Sequence, residues 1–239
     1  MKILTDLHTH TSASAHAFST ITENIAHAAK NGIELIATTN HGPSSHCKIH
    51  SDHFKYLPYF IPQVVDGVTV LSGAEANILD ETGKLDLDEK ILKELDIVIA
   101  SCHTPPFKPQ SDESFKKTYT AIANNPQVDI VGHLCRNNHL NYLDNIIDLS
   151  MKKGKLIEIN SLSFKSKGHG HTEKSKFLIE RCLKHNAKIV VNSDAHYHND
   201  IGNFSEITEY LKQVGYPEDL IINRNKKALL EFLNIKENL

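Results

Sequence analysis

Ile3-Leu-Thr-Asp-Leu-His-Thr-His10 sets the reading of the whole chain. An apolar, strand-like run from Ile3 to Leu7 delivers His8 and His10. Side chains two apart on a strand point the same way, so the two imidazoles sit side by side as a chelating pair. The same grammar recurs downstream. Leu35 to Thr39 runs into His41, Val68 to Leu71 into Glu75, Ile97 to Ala100 into His103, Asp129 to Val131 into His133, and Ile189 to Val191 into Asp194 and His196. Ligand-type residues at the ends of successive parallel strands converge on one face of a barrel or sheet.

Between these runs the period changes to that of a helix. Thr20-x-x-Glu23 reads as a capping box, Ile21, Ile25, Ala28 and Ala29 form an apolar stripe, and Gly32 is placed to end it. Helical patterns follow around Leu87 to Leu95, Phe115 to Ala123, Leu143 to Lys152, Lys174 to His185 and Ile207 to Val214, with a closing helix over Lys226 to Leu233. Leu156-Ile-Glu-Ile-Asn160 adds a strand. About seven β/α units with short connections predict an α/β fold with a parallel barrel. With no linker or low-complexity break, residues 1–239 are expected to form one domain. Two longer connections, Pro43 to His53 and Ser163 to His171, fall on the ligand-bearing face, where loops carry substrate contacts.

Composition narrows the function. A formal net charge of -3 gives no overall basic footprint, so nucleic acid is disfavoured as a partner and small anionic substrates fit better. The first residues turn polar too soon for a signal peptide and no apolar run approaches membrane-spanning length, so a cytoplasmic protein is expected. Cys47, Cys102, Cys135 and Cys182 form no C-x-x-C pair and are expected to be reduced. Cys135 would share the face of His133 if that strand continued, although packing is the expected role. No G-x-S-x-G elbow or P-loop is present.

His8, His10, His16, His41, Glu75, His103, His133, Asp194 and His196 together offer seven imidazoles and two carboxylates, the nitrogen and oxygen set favoured by zinc, manganese or iron. A catalytic zinc keeps about three protein ligands and an open position, so nine donors suit three divalent ions with a bridging carboxylate. Of the other histidines, His27 and His185 lie in helical stretches, while His46, His50, His53, His139, His169, His171 and His198 are loop residues.

Asp6-Leu-His-Thr-His-Thr11, Thr39-Asn-His-Gly42, Gly73-Ala-Glu75, Ser101-Cys-His103, Gly132-His133 and Ser193-Asp-Ala-His196 resemble the ordered motifs of the PHP (polymerase and histidinol phosphatase) superfamily. Ser14-Ala-His16, Glu75-Ala-Asn77, Glu158-Ile-Asn160 and Pro217 to Asn223 bring the resemblance nearest to the stand-alone YcdX-like phosphatases. It implies a distorted barrel of seven β/α units of TIM-barrel-like type holding three divalent metals, usually assigned as zinc, with manganese or iron as alternatives. Carried over by position, His8, His10, Glu75 and Asp194 would hold one ion. Glu75 would bridge to a second, completed by His103 and His133, and His16, His41 and His196 would hold the third.

The chain departs from the family pattern at Asn40, where Asp is usual, at Leu134, and over Lys165-Ser-Lys-Gly-His169. Asn40 removes a negative charge from behind the ligands, and Asp6 is placed to orient a ligand imidazole. Arg136, Lys165 and Lys167 are candidate phosphate clamps. The expected activity is hydrolysis of small phosphate monoesters, with a water bridging two of the metals as nucleophile and no protein general acid assigned. Two alternatives stay open: phosphodiester cleavage in nucleotides or nucleic-acid ends, and a non-catalytic module that binds phosphorylated ligands through metal. Homo-oligomerisation is also open.

Overall fold

The structure, a computed structural model, describes residues 1–165 and 171–236. Seven parallel strands are hydrogen-bonded in chain order: β1 (Thr5–Thr9), β2 (Leu35–Thr38), β4 (Val68–Asn77), β5 (Ile97–Ser101), β6 (Ile130–Val131), β7 (Leu156–Asn160) and β8 (Ile189–Asn192). A two-residue strand, β3 (Val64–Val65), turns back antiparallel onto β4. Thr9 pairs in parallel with Ala195 just beyond β8, and the His10 N–H donates to the Ala195 carbonyl at 2.9 Å, so first and last strands meet in a nearly closed barrel. Asn223 staples the same seam. Its Nδ2 donates to the carbonyls of Thr5 and Val191, and its Oδ1 accepts from the Val191 N–H.

Strand alternation separates two apolar layers. Leu7, Leu35, Leu71, Ile97, Ile130, Leu156 and Val190 fill the barrel interior, sealed by Ile222 and by Leu229 and Leu230 of α9 (Lys226–Leu233). Intervening residues such as Val98, Ala100, Ile157 and Val191 face outward to the helices. These include α1 (Ile21–Lys30), α4 (Asp112–Asn124), α5 (Leu143–Lys152), α7 (Thr172–Lys184) and α8 (Ser205–Gln213). The capping box at Thr20 and Glu23 forms as the sequence predicts.

Several expectations are corrected. The stretch Pro43 to His53 is not loop throughout, because α2 (Ser51–Phe60) begins inside it. That helix carries Pro58, whose missing N–H and ring disfavour helix in a local reading. The helical pattern from Leu87 to Leu95 yields only a single turn, α3 (Glu89–Leu92). β4 runs past the apolar segment through Glu75, since Gly73, Ala74 and Ala76 let the strand continue in register with β5. β6 stops at Val131, so Cys135 lies in a 3-10 turn, buried in the outer layer with the packing role expected of it. The second long connection starts with α6 (Ser161–Phe164), and Lys167 and His169 lie outside the described residues.

Candidate metal centre

A change of strand parity aims the first two ligands. Between Asp6 and Thr9 the β1–β2 register slips by a residue, so two consecutive side chains take the same face. Leu7 packs into the interior layer, and His8 and His10 also point inward, where His8 lies 3.4 Å from both Glu75 and Asp194. Glu75 rises from β4 on the inward face, two residues beyond Gly73. A Cβ on Gly132, just before His133, would fall 2.2 Å from Ser101 Oγ and 2.9 Å from the Ile99 side chain, so only glycine admits the close approach there. Asp194 turns its carboxylate inward from a left-handed backbone with φ of 56°, a conformation Asp tolerates better than most residues.

All nine side chains meet at this end of the barrel, grouped around Glu75. Its Oε1 lies 2.8 Å from His133 Nε2 and 3.3 Å from His103 Nε2; its Oε2 lies 2.6 Å from His41 Nδ1, 3.4 Å from His8 Nε2 and 3.7 Å from His10 Nε2. Asp194 Oδ1 is 3.0 Å from His10 Nε2. The His16 and His41 Nε2 atoms are 3.3 Å apart, and the His196 ring lies tilted at 4.3 Å from His10 and 4.6 Å from His16.

Within this cluster three triads of donors are close enough to share an ion: His8, His10 and Asp194; His41, Glu75 and His103; and His10, His41 and His196. The first follows the grouping implied by the family resemblance. In the second His41 stands where His133 was expected, and in the third His10 stands where His16 was expected.

Buried atoms without hydrogen-bond partners test the fit to metal. Among the described residues, His8 Nε2, His10 Nδ1, His41 Nδ1, Glu75 Oε2 and His103 Nε2 have none, although several lie within 4 Å of each other. Each such atom costs about 1–3 kcal/mol if nothing satisfies it. Donors that converge without bonding one another suit a divalent cation, and the residues fit one.

Electrostatics agree. Burial opposes charge on Glu75, but His103, His8 and His41 hold it well below the usual carboxylate range. Burial works against Asp194 ionisation too, and His8 and Arg136 overcome it. Burial, reinforced by His41, pushes His10 well below the imidazole range, and burial with His196 and His41 pulls His16 down to about 4. Burial, with Arg136 beside it, brings His133 down to about 4. His8 goes the other way: burial disfavours its charge, yet Glu158, Asp194 and Glu75 hold it well above the ordinary value. Neutral His10, His16 and His133 and ionised Glu75 and Asp194 are in the protonation states that metal binding requires, whereas His8 would give up a proton to an incoming cation.

The shell behind these donors differs from expectation. Asp6 does not orient an imidazole, because its two oxygens accept from the backbone N–H groups of Ser193 and Gly202, both at 3.0 Å. It positions the loop that carries Asp194, and burial pushes its carboxyl up to about 6. The residue behind His8 is Glu158, whose Oε1 accepts from His8 Nδ1 at 2.6 Å while its Oε2 accepts from the His133 N–H at 2.9 Å. Asn77 holds His103 Nδ1 at 2.8 Å and is itself held by Asp86.

Glu158 and Asn77 stand in two of the segments that carry the family resemblance, and Glu158 is also a lone charge between Ile157 and Ile159; Asp86 gave no comparable signal. Asn40 binds no ligand ring. It accepts from the Thr11 N–H and the Ser14 hydroxyl and donates to His53 Nε2, bracing the loop that leads to His16.

Arg136 enters the site. Its guanidinium donates to Asp194 Oδ2 at 2.7 Å, Asn160 Oδ1 at 3.2 Å and Ser163 Oγ at 2.7 Å. It lines a cavity of about 480 Å³ together with His16, His41, His103, Leu162 and His196. The Lys165 ammonium is engaged by Asp200 at 2.8 Å.

The PHP domain pattern matches residues 6–192. The chain belongs to the PHP family. Among curated relatives, a protein of Thermoanaerobacter sp. (strain X514) named "probable phosphatase" is 41% identical over 238 residues, spanning 99% of this chain and 97% of the relative. Another of that name from Clostridium novyi (strain NT) is 39% identical over 241 residues, spanning 100% and 98%. The barrel is also similar to that of histidinol phosphate phosphatase from Lactococcus lactis, solved with zinc, L-histidinol and phosphate. That match has a TM-score of 0.57 at 17% identity and covers 91% of this chain and 95% of the other. Among the described residues no helix is long and apolar enough to cross a membrane.

Proposed function

We propose that this PHP-family phosphatase hydrolyses small phosphate monoesters at a cluster of three divalent cations, zinc first and manganese or iron as alternatives, held by the nine residues around Glu75. The observation that carries the reading is the convergence on Glu75 of the buried His8 Nε2, His41 Nδ1 and His103 Nε2, none of which has a hydrogen-bond partner, beside a cavity walled by Arg136. Bound divalent ions would neutralise phosphoryl oxygens and make water acidic enough to attack at neutral pH.

The protein's own groups do the positioning. Glu75 reaches His41 through one oxygen and His103 and His133 through the other, so it ties these three imidazoles together, and His41 links them to His10 and His196. Asp194 does the same for His8, His10 and Arg136. The planar Arg136 fork, locked by Asn160 and Ser163, sets a fixed positive group in the cavity wall that suits a phosphate dianion. Phosphoryl transfer needs little covalent help from protein, so this positioning and charge can supply most of the rate.

The test is hydrolysis of a chromogenic monoester and diester by metal-stripped protein reloaded with zinc, manganese or iron, with His103→Ala as control. Restored monoester cleavage that the control lacks is expected. Preference for the diester, or full loading with no turnover of phosphorylated compounds, would overturn the proposal.

A further inference from the structure

The outward nitrogen of a ligand histidine normally meets an oxygen acceptor that fixes the ring. His8 meets Glu158, His103 meets the Asn77 carbonyl oxygen, and His196 Nδ1 meets the Asp194 backbone carbonyl at 2.9 Å. His16 breaks this pattern. Its Nε2 faces His41 in the cluster, while its Nδ1 faces two further metal-ligating groups, His46 Nε2 at 3.2 Å and Cys47 Sγ at 3.3 Å. We infer that His16 Nδ1, His46 Nε2 and Cys47 Sγ form a fourth cation site at the mouth of the cavity, one that takes a thiophilic divalent ion of the zinc class.

The spacing supports this. With Zn–N near 2.0–2.1 Å and Zn–S near 2.3 Å, tetrahedral ligands stand about 3.3 Å apart between nitrogens and about 3.6 Å between nitrogen and sulfur. The observed separations lie within about 0.3 Å of those edges, and all three donors fall within 4.8 Å of one another. Cys47 is also singled out among the cysteines: Cys102, Cys135 and Cys182 are buried, whereas Cys47 is half-exposed beside the cavity.

The loop that carries it is fastened. Gly42 packs so closely on the Asp86 carboxylate that a Cβ would fall 2.3 Å from it, Asp86 accepts from the Ser44 N–H, and Ser45 Oγ accepts from the Cys47 N–H. Binding releases the Cys47 thiol proton to solvent, and also the remaining His16 ring proton when both ring nitrogens are ligated. The sharing of His16 with the cluster rests on the proposed function above; the peripheral site itself does not.

The experiment titrates metal-stripped full-length protein with Co²⁺, reading the near-ultraviolet thiolate-to-cobalt charge-transfer band and the bound cobalt. The nine cluster residues contain no thiol, so a band reports the peripheral site. Wild type is expected to show it, Cys47→Ser to lose it with one equivalent of cobalt, and His46→Ala to bind that equivalent about tenfold or more weakly. In unmutated protein, zinc is expected to slow alkylation of Cys47 by about tenfold or more. A fully loaded protein without the band, a band that survives Cys47→Ser, or alkylation indifferent to zinc would overturn the site. His103→Ala touches only the cluster, so a cobalt count that it leaves unchanged, with the band intact, would count against the cluster alone.

Discussion

Glu158→Gln replaces one atom and tests how the cluster is held. The Glu158 carboxylate accepts four hydrogen bonds, from His8 Nδ1 and Asn192 Nδ2 on one oxygen and from the His133 N–H and Asn160 Nδ2 on the other. A glutamine has one oxygen to offer. If it stays on His8, its NH₂ faces the donors of His133 and Asn160. If it turns, its NH₂ faces His8, which can adapt only by moving its proton to Nε2, the atom that points at Glu75 and Asp194.

The first arrangement leaves buried donors unpaired, at about 1–3 kcal/mol of stability. The second blocks a ligand, and losses of such supports typically cost about 10–100-fold in metal affinity. The expected result is zinc released to a competing chelator about 10–100-fold more readily, with a lower guanidinium midpoint at unchanged slope. A variant that holds zinc as tightly as wild type and unfolds at the same midpoint would refute the claim that Glu158 fixes the His8 tautomer.

Arg136→Lys keeps the charge but loses the fork that spans Asp194, Asn160 and Ser163, so steady-state kinetics are expected to show kcat/KM down by about tenfold or more, mainly through KM. A fully active lysine variant would count against Arg136 as a phosphate anchor. His133 is held at about 4 against 6.5 in the unfolded chain, so between those values the unfolded state binds more protons. Its contribution, about 3 kcal/mol, is therefore complete above pH 6.5 and lost as pH falls toward 4. Urea midpoints of metal-free protein should fall over that window, and less so in His133→Asn; equal slopes would dismiss the assignment. Chelation should lower the thermal midpoint reversibly, since ions bound at about 1,000-fold over Kd add about 4 kcal/mol. A midpoint indifferent to chelator and to added zinc would argue against ligation by the buried donors.

The strand ends were legible because two signals coincide there, an apolar run that sets the element and a ligand-type residue that has no packing reason to follow it. What stayed hidden depended on neighbours in space. Nothing in Asp6-Leu-His-Thr9 announces the register slip that lets Leu7 and His8 share a face, since each residue is compatible with plain alternation. Pro58 argues locally against helix, yet Phe54 and Leu57 are buried in tertiary contact and α2 forms around it. Glu158 was readable as an oddity, but its partners lie 150 and 25 residues away, so its job could not be read from the sequence. Asp6 invited the opposite error: its place two residues before His8 suggested a ring partner, while the register slip leaves it on the other face, bonded to the backbone of Ser193 and Gly202.

The distribution of ligands explains why fold and metal should be one cooperative system. Each strand end gives only one or two donors, so no group exists until distant strands are in register; the His8, His10 and Asp194 set spans the barrel seam itself. That seam is light. β1 and β8 meet through the pairing of Thr9 with Ala195, the Leu7 N–H on Asn192 Oδ1, the Ser193 N–H on Asp6 Oδ1 and the clasp of Asn223, and among the described residues no regular ladder joins the two strands. Without metal, Asp194 is drawn to the first strand through His8 and His10, and burial opposes the charges involved. An ion shared by His8, His10 and Asp194 would therefore close the barrel as well as serve its chemistry, because the same donors that bind it hold the first strand against the last.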